Sequence, residues 1–261
     1  MTVDPRFEQI HQIYYGTDDG FCELRPREET RHDAAHVAGL YEIFGRYEDF
    51  YGSVAPDRRD DIHLVSVVGG LYGLNLIPMF RPKEITFFDV NPHQIAFFQL
   101  IRRVWMESPN RDEFLRKLTH GDYVVATEQD QMIRDCIIAK QRGTLTEEHG
   151  RSARTFLSSW RYALDRFDLT RELLADVPVH TRIDSMQSAA FAEFAGNREN
   201  TWIYCSNVLI FVAFDLTFAN PRNTAIFASY YDHTEMLDVS AHGRGPVTVH
   251  CRIPLSAEPI M

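Results

Sequence analysis

One stretch of the chain, residues 63–99, constrains the fold more than any other part. It begins with a short apolar and β-branched run, residues 63–68, without polar alternation, which is typical of a parallel strand covered on both faces. Gly69, Gly70 and Gly73 follow at once, and a second apolar run, residues 85–88, ends in Asp89. This order of strand, glycine turn, helix, strand and acid predicts half of a nucleotide-binding α/β domain.

The glycines and Asp89 also predict the kind of ligand. A glycine turn between a strand and a helix lets the backbone approach a ligand, and the next helix offers N–H groups to its polar atoms. An acid about twenty residues further on is placed to accept hydrogen bonds from ribose hydroxyls. The glycine spacing is not the dinucleotide pattern G-x-G-x-x-G, so one adenosine-bearing ligand fits better than a pyrophosphate. S-adenosylmethionine is the leading candidate, and a turn that only packs the chain is the alternative.

Composition narrows the class of protein. The 261 residues have the composition of an ordinary globular protein, which favours one elaborated domain over two. The net charge of −10 argues against a nucleic-acid surface and against docking on anionic lipid. No segment reaches the roughly eighteen apolar residues of a membrane span. The first residues, MTVDPRFEQ, lack an apolar core, so we expect no secretory signal and a cytoplasmic location.

Neither the histidines nor the cysteines predict a metal site. His32 and His36 are four residues apart and could share a helix face, but the glutamate of H-E-x-x-H is missing, which favours a solvated face. The cysteines show neither C-x-x-C nor C-x-x-H spacing, so we expect reduced thiols, no disulfide framework and no metal. The four are Cys22, Cys136, Cys205 and Cys251.

Helical patterns surround the predicted sheet. Residues 1–60 form a helical, aromatic segment that could pack on the sheet, cover the ligand or form a dimer interface, so the protein is predicted to be a monomer or a homodimer. Pro92 falls in the first turn of a helix that follows Asp89. Residues 107–176 are too many for a simple crossover and predict an inserted helical cap, with a strand only at 123–126. The apolar faces of the first segment are Phe7, Ile10, Ile13 and Tyr14, and then Leu40, Phe44, Tyr47 and Tyr51.

Further strands are predicted at residues 179–183 and 202–205, and the sequence shows no internal repeat and no domain linker. Residues 224–231 and 247–253 show the alternation of strands near a sheet edge.

Two motifs carry a resemblance to a known family. The residues Asp89-Val90-Asn91-Pro92-His93-Gln94, in the pattern D-x-N-P-x-Q after the second strand, resemble the betaine-lipid synthase family of S-adenosylmethionine-dependent 3-amino-3-carboxypropyl transferases. The stretch Tyr204-Cys205-Ser206-Asn207-Val208 is similar to that family's strand ending in Ser-Asn. The resemblance implies a Rossmann-like class I methyltransferase sheet that binds S-adenosylmethionine across its carboxyl edge. The chain is shorter than the lipid enzymes, so their lipid acceptor is not carried over.

The resemblance also implies roles for single residues at the second strand. Asp89 would bind the ribose, while Asn91 and Gln94 would shape the site beside it. Asn91 can equally cap the first turn of the next helix.

The ends of the third and fourth strands supply further candidates. Asp184 would accept the adenine amino group while Met186, after Ser185, packs on the ring, although a solvated Asp in a turn fits as well. Ser206 and Asn207 would face the amino-acid half of the cofactor or the attacking nitrogen.

The chemistry depends on which sulfonium carbon faces the nucleophile. The leading hypothesis is aminocarboxypropyl transfer to a small-molecule amine, hydroxyl or phenol, with release of methylthioadenosine. The alternatives are methyl transfer, cyclisation or cleavage of the methionyl arm, and binding of an adenosine ligand without turnover. Tyrosines can orient a nucleophile, and a histidine beside an aspartate can remove its proton. The candidates on the acceptor side are Tyr14, Tyr15, Tyr204, Tyr230, Tyr231, Asp232 and His233.

Overall fold

The protein has a mixed α/β architecture built on a parallel sheet. The computed structural model describes residues 44–141 except 46, residues 160–186 and 188–206, and four strands between 214 and 251. The strands are β1 (His63–Val67), β2 (Glu84–Asp89), β3 (Val179–Ile183), β4 (Thr201–Ser206), β5 (Phe214–Phe218), β6 (Thr224–Ala228), β7 (Thr234–Asp238) and β8 (Val247–Cys251).

Six of these strands form one sheet, in the order β3-β2-β1-β4-β6-β7. Neighbours from β3 to β6 run parallel, and β7 pairs antiparallel with β6. Strands β5 and β8 form a separate antiparallel pair. The α/β class is therefore confirmed, and the parallel sheet is compatible with a Rossmann-like fold.

The strands that flank the glycine turn match their sequence patterns closely. Both β1 and β2 are buried along nearly their whole length, as a run without polar alternation predicts. Strand β3 has the predicted bounds but is only half-buried, because it is the outer strand of the sheet. The predicted strands at 224–231 and 247–253 correspond to β6 and β8. The sequence pattern did not predict β5 or β7.

Most of the helices lie between strands in the sequence. They are α1 (Pro56–Arg59), α2 (Leu76–Phe80), α3 (Pro92–Met106), α4 (Arg111–His120), α5 (Glu128–Gln141), α6 (Arg161–Asp165), α7 (Phe167–Asp176) and α8 (Ala189–Asn197). A 3-10 helix, Gly69–Asn75, follows β1. Among the described residues, no helix is long and apolar enough to cross a membrane.

Helix α3 starts at Pro92, as its sequence predicts, and packs an apolar face on the sheet. The ring of Phe98 lies 4.1 Å, between centroids, from that of Phe87 on β2. The apolar residues predicted to be buried are all buried: Ile95, Phe98, Leu100, Ile101 and Trp105.

Residues 107–176 are helical wherever the structure describes them as regular, but the predicted strand at 123–126 is wrong. Gly121, with φ of +73°, ends α4 in the left-handed conformation, and the chain then forms a loop. Tyr123 is buried, whereas Val124 is 64% exposed. The N–H of Ala126 is bound by the Asp130 carboxylate of α5, 3.0 Å away. An apolar run forms a strand only where a neighbouring strand pairs with it, and here a helix begins instead.

The described end of the N-terminal segment packs on the sheet. Residues 47–53 are helical, and Phe44 and Tyr47 are buried, as their predicted face requires. Tyr51 is half-buried against Phe80 and Trp202. The rest of this segment, Leu40 and the first apolar face included, lies outside the described residues.

Candidate functional site

The carboxyl ends of the parallel strands meet at one edge of the sheet, and this edge is the candidate site. Asp89, the last residue of β2, is in register with Ile183, the last residue of β3. The N–H of Asp184 donates to the backbone carbonyl of Asp89 over 3.0 Å. On the other side, the N–H of Val68 donates to the carbonyl of Phe88 over 2.9 Å. The glycine turn, Asp89 and Asp184 therefore follow or end three neighbouring strands at the same edge of the sheet.

The glycine turn is a tight 3-10 helix that lies close against β1. A Cβ atom on Gly73 would lie 2.2 Å from Ser66 Oγ and 3.1 Å from the ring of Phe87. Leu71 takes a left-handed backbone with φ of +61°. Gly73 is therefore required by the packing of the turn on the sheet, while Gly69 and Gly70 directly follow the carboxyl end of β1.

Asp89 belongs to a hydrogen-bonded turn that leads into α3. Its carboxylate accepts from the N–H of Asn91 over 2.9 Å, and Asn91 Oδ1 accepts from the N–H of His93 over 2.9 Å. Asn91 thus caps α3, as the capping interpretation predicted. The Asp89 residue is 9% exposed, and Gln94 is buried in the first helical turn.

Asp184 is the centre of a second turn. Its carboxylate accepts from the N–H of Ser185 over 2.8 Å, from Ser188 Oγ over 2.6 Å and from an Arg182 Nη over 2.7 Å. Burial opposes ionisation, but these hydrogen bonds and the Arg182 charge outweigh it, so the pKa of Asp184 lies below its usual range. Asp184 therefore stays ionised, and Met186 beside it is buried.

Two apolar side chains at this edge were not predicted as site residues. Val90 is 66% exposed and Ile183 is 65% exposed, next to Asp89 and Asp184 respectively. Exposed apolar side chains and carboxylates therefore occur together at the ends of β2 and β3. The sequence signal that could have indicated them is their position: Val90 directly follows β2, and Ile183 ends β3.

The candidates on the fourth strand and on the acceptor side are placed differently. Ser206 ends β4 at the same sheet edge. Tyr204 is fully buried, with its ring stacked on Tyr72 at 5.4 Å between centroids, so it packs inside the molecule. The remaining candidates lie outside the described residues: Tyr14, Tyr15, Asn207, Tyr230, Tyr231, Asp232 and His233.

Metal binding was not predicted, and the relevant histidines, His32 and His36, also lie outside the described residues. Within the part of the chain that the structure describes, no three His, Cys, Asp or Glu side chains are grouped so that they could hold a metal ion.

The opposite, amino edge of the sheet carries a charged cluster that the sequence did not indicate. Glu84 receives two hydrogen bonds from Arg198, of 2.8 and 2.5 Å, and lies 3.3 Å from His180 Nε2. His63, buried beside it, shares a hydrogen bond of 2.9 Å with Thr86. Burial, with the charge of Arg198, lowers the pKa of His63 to about 4, against the attraction of Glu84.

Comparison with known proteins adds no assignment. No protein-family model matches the chain, and no curated protein matches it.

Proposed function

We propose that this protein is an S-adenosylmethionine-dependent transferase that moves the 3-amino-3-carboxypropyl group to a small-molecule nucleophile and releases methylthioadenosine. The observation that carries the proposal is the meeting of Asp89, Asp184 and the Gly69-Gly70 turn at the carboxyl edge of one parallel sheet. Of the two motifs that resemble the aminocarboxypropyl transferases, D-x-N-P-x-Q follows β2 at this edge, and Ser206, the first residue of the Ser-Asn pair, ends β4 there.

The strand order supports a ligand at this place. From β1 the chain continues to β2 on one side, whereas β4 lies on the other side of β1. Ligands of open α/β sheets bind in the crevice outside the carboxyl ends where the order reverses in this way. The glycine turn follows β1 at that reversal, and Asp89 ends the adjacent strand.

The side chains at the edge suit an adenosine. A carboxylate accepts several hydrogen bonds, so Asp89 can accept hydrogen bonds from ribose hydroxyls in addition to the one from the N–H of Asn91. Val90 and Ile183 offer apolar surface for an adenine ring, and the ionised Asp184 can accept its amino group. In this arrangement Met186 supports the site from within the core.

The proposed reaction is a displacement at a carbon of the sulfonium. A lone pair of the acceptor forms a bond to the γ-carbon of the methionyl arm, and the bond from that carbon to sulfur breaks. The electron pair stays on sulfur, which leaves neutral methylthioadenosine, and the proton of the acceptor passes to solvent or to a base. Positioning supplies most of the catalysis, because the sulfonium is already activated.

The product identifies the reaction. Purified protein is incubated with S-adenosylmethionine and a metabolite extract, and the nucleoside product is read by mass spectrometry. Methylthioadenosine is expected, and its loss when the extract is omitted would separate transfer from cyclisation or cleavage. S-adenosylhomocysteine would instead identify a methyltransferase. Stabilisation by the cofactor without any product would indicate a binder.

The proposed ribose contact is tested by substitution. Asp89→Asn keeps an oxygen for the N–H of Asn91 but loses the charge, so the Kd for S-adenosylmethionine is expected to rise about tenfold to a hundredfold. The matched control is Asp112→Asn, an exposed aspartate on α4. Equal affinity in calorimetry for wild type and Asp89→Asn would contradict the ribose role.

A further inference from the structure

A helix of the 107–176 segment reaches the turn that carries Asp89. The Gln129 amide nitrogen, in the first turn of α5, lies 2.8 Å from His93 Nδ1 in the first turn of α3. An amide N–H can only donate, so the imidazole nitrogen accepts this hydrogen bond. Gln129 and His93 are 36 residues apart in sequence, and neither was predicted as a site residue.

Hydrogen bonds and an ion pair hold the first turn of α5, which carries Gln129, in place. The adjacent residue, Asp130, is buried and forms an ion pair of 2.6 Å with Arg103 near the end of α3. Asp130 also accepts from the N–H of Ala126, and its own N–H donates to Thr127 Oγ1 over 3.0 Å. The first turn of α5 is therefore capped and attached to α3, which limits the positions that the Gln129 side chain can take.

From His93 the contacts continue to the candidate site. The backbone N–H of His93 donates to Asn91 Oδ1, and the N–H of Asn91 donates to Asp89 Oδ1, each over 2.9 Å. Hydrogen bonds thus link four residues in turn: Gln129, His93, Asn91 and Asp89. Within His93 and Asn91, the link runs from the side chain to the backbone N–H of the same residue. These contacts connect the Gln129 side chain with the Asp89 carboxylate.

We infer that Gln129 is a positioning residue, which holds His93 and through it fixes the turn of residues 89–93 for the ligand. For its effect on S-adenosylmethionine this inference rests on the proposed function, whereas its effect on the turn does not. The role is distinct from contact with the ligand, because Gln129 acts through His93.

The chain offers a matched control on the same helix. Gln131 is also half-buried, but among the described residues its side chain bonds only to Arg134 and Asp135 of α5, over 2.6 and 2.7 Å. Gln131→Ala therefore removes a glutamine from α5 without touching the turn. Gln129→Glu is the conservative variant, because a carboxylate restores the contact once the imidazole proton moves to Nδ1, from which the carboxylate can accept.

The first test uses the full-length protein without ligand. Hydrogen exchange of the Asn91 and His93 amides is measured by NMR in the wild type and in both alanine variants. Loss of one neutral hydrogen bond is expected to speed this exchange about three- to tenfold in Gln129→Ala, and not in Gln131→Ala. Unchanged exchange in Gln129→Ala would overturn the inference. His93→Leu removes the same bond from the other side and is expected to act alike.

The second test measures the Kd for S-adenosylmethionine by calorimetry. Gln129→Ala is expected to raise it about three- to tenfold, with Gln131→Ala near wild type and Gln129→Glu recovering most of the loss. Wild-type affinity in Gln129→Ala, or no recovery in Gln129→Glu, would overturn the role at the ligand site. A wild-type protein that does not bind S-adenosylmethionine would overturn the proposed function, while the exchange data would still decide whether Gln129 positions the turn.

Discussion

At the scale of single residues, Asn91 connects the candidate site with the first turn of α3. Its side chain caps the helix, and its backbone N–H holds the Asp89 carboxylate. Asn110 is a comparison within the same chain, because its Oδ1 caps α4 by accepting from the N–H of Glu113 over 2.9 Å. Unlike Asn91, Asn110 is not part of the turn that carries Asp89.

The two caps predict different outcomes for the same substitution. Asn91→Ala and Asn110→Ala are each expected to lower the free energy of unfolding by about 1 kcal/mol, measured by urea denaturation. Only Asn91→Ala is expected to weaken binding of S-adenosylmethionine, because only its loss frees the turn of residues 89–93. Equal affinities in the two variants would leave Asn91 with capping alone.

His63 predicts a loss of stability in acid. Its pKa is about 4 in the folded protein, well below the ordinary value of 6.5, so the unfolded chain binds the proton more readily. The stability from a neutral His63 is complete above pH 6.5 and falls as the pH drops towards 4. The slope is at most about 1.4 kcal/mol per pH unit for one proton.

The measurement is urea unfolding between pH 4 and 7. His63→Gln keeps a donor for Thr86 but cannot titrate, so its stability is expected to fall less steeply in acid than that of the wild type. His120→Gln, a substitution of an exposed histidine on α4, is expected to keep the wild-type slope. The groups that face His63 are Glu84, Thr86, His180, Phe194 and Arg198. If the free energy of unfolding of His63→Gln fell with decreasing pH as steeply as that of the wild type, groups other than His63 would be responsible for the loss of stability in acid.

At the scale of elements, the close approach of the 3-10 helix to β1 depends on Gly73. Gly73→Ala would place a Cβ 2.2 Å from Ser66 Oγ and 2.9 Å from Ser66 Cβ, so the turn or the strand must move. We expect a loss of about 1 to 3 kcal/mol in the free energy of unfolding, measured by urea denaturation. Gly52→Ala is the control, because its added Cβ meets nothing within 4 Å, and a change of at most about 1 kcal/mol is expected. A loss no larger for Gly73→Ala than for Gly52→Ala would contradict the packing role.

The elements with a clear local sequence signal were the predictable ones. The apolar runs of β1 and β2 and the Asn-Pro start of α3 are local signals, and the structure agrees with them within one or two residues. Residues 123–126 carry a similar apolar run, but a strand needs a neighbour, and Asp130 binds the N–H of Ala126 instead. The missed strands β5 and β7 each pair with a strand that was predicted, β8 and β6 respectively, so a recognisable partner did not make them predictable.

At the scale of the whole molecule, a series of contacting aromatic rings links β4 of the sheet, the 3-10 helix, the N-terminal segment and α6. Tyr204 of β4 stacks on Tyr72 of the 3-10 helix, and Tyr72 stacks on Phe44, with centroids 5.4 and 6.0 Å apart. Phe44 also contacts Tyr162 of α6 at 5.0 Å. Phe44 therefore connects the N-terminal segment, the sheet and the 107–176 segment.

Phe44→Ala is expected to lower the free energy of unfolding by about 3 to 5 kcal/mol, because it empties a buried position between three elements. Phe50→Ala, a substitution of a half-buried ring beside Trp202 at 5.4 Å, is expected to cost less. The measurement is urea unfolding of both variants. Equal losses would show that Phe44 has no special connecting role.

The sequence pattern predicted the α/β class, the strands beside the glycine turn and the positions of Asp89 and Asp184 at strand ends. It did so because burial on both faces and the short turns leave clear local patterns. The carboxyl ends of parallel strands lie at one edge of a sheet, so the location of the candidate site at that edge was predictable. No sequence pattern showed that Gly73 packs on Ser66, that Tyr204 is buried, or that Gln129 contacts His93. Packing in three dimensions selects these features: Gln129 and His93 are 36 residues apart, and Gly73 meets Ser66 because the 3-10 helix lies close against β1.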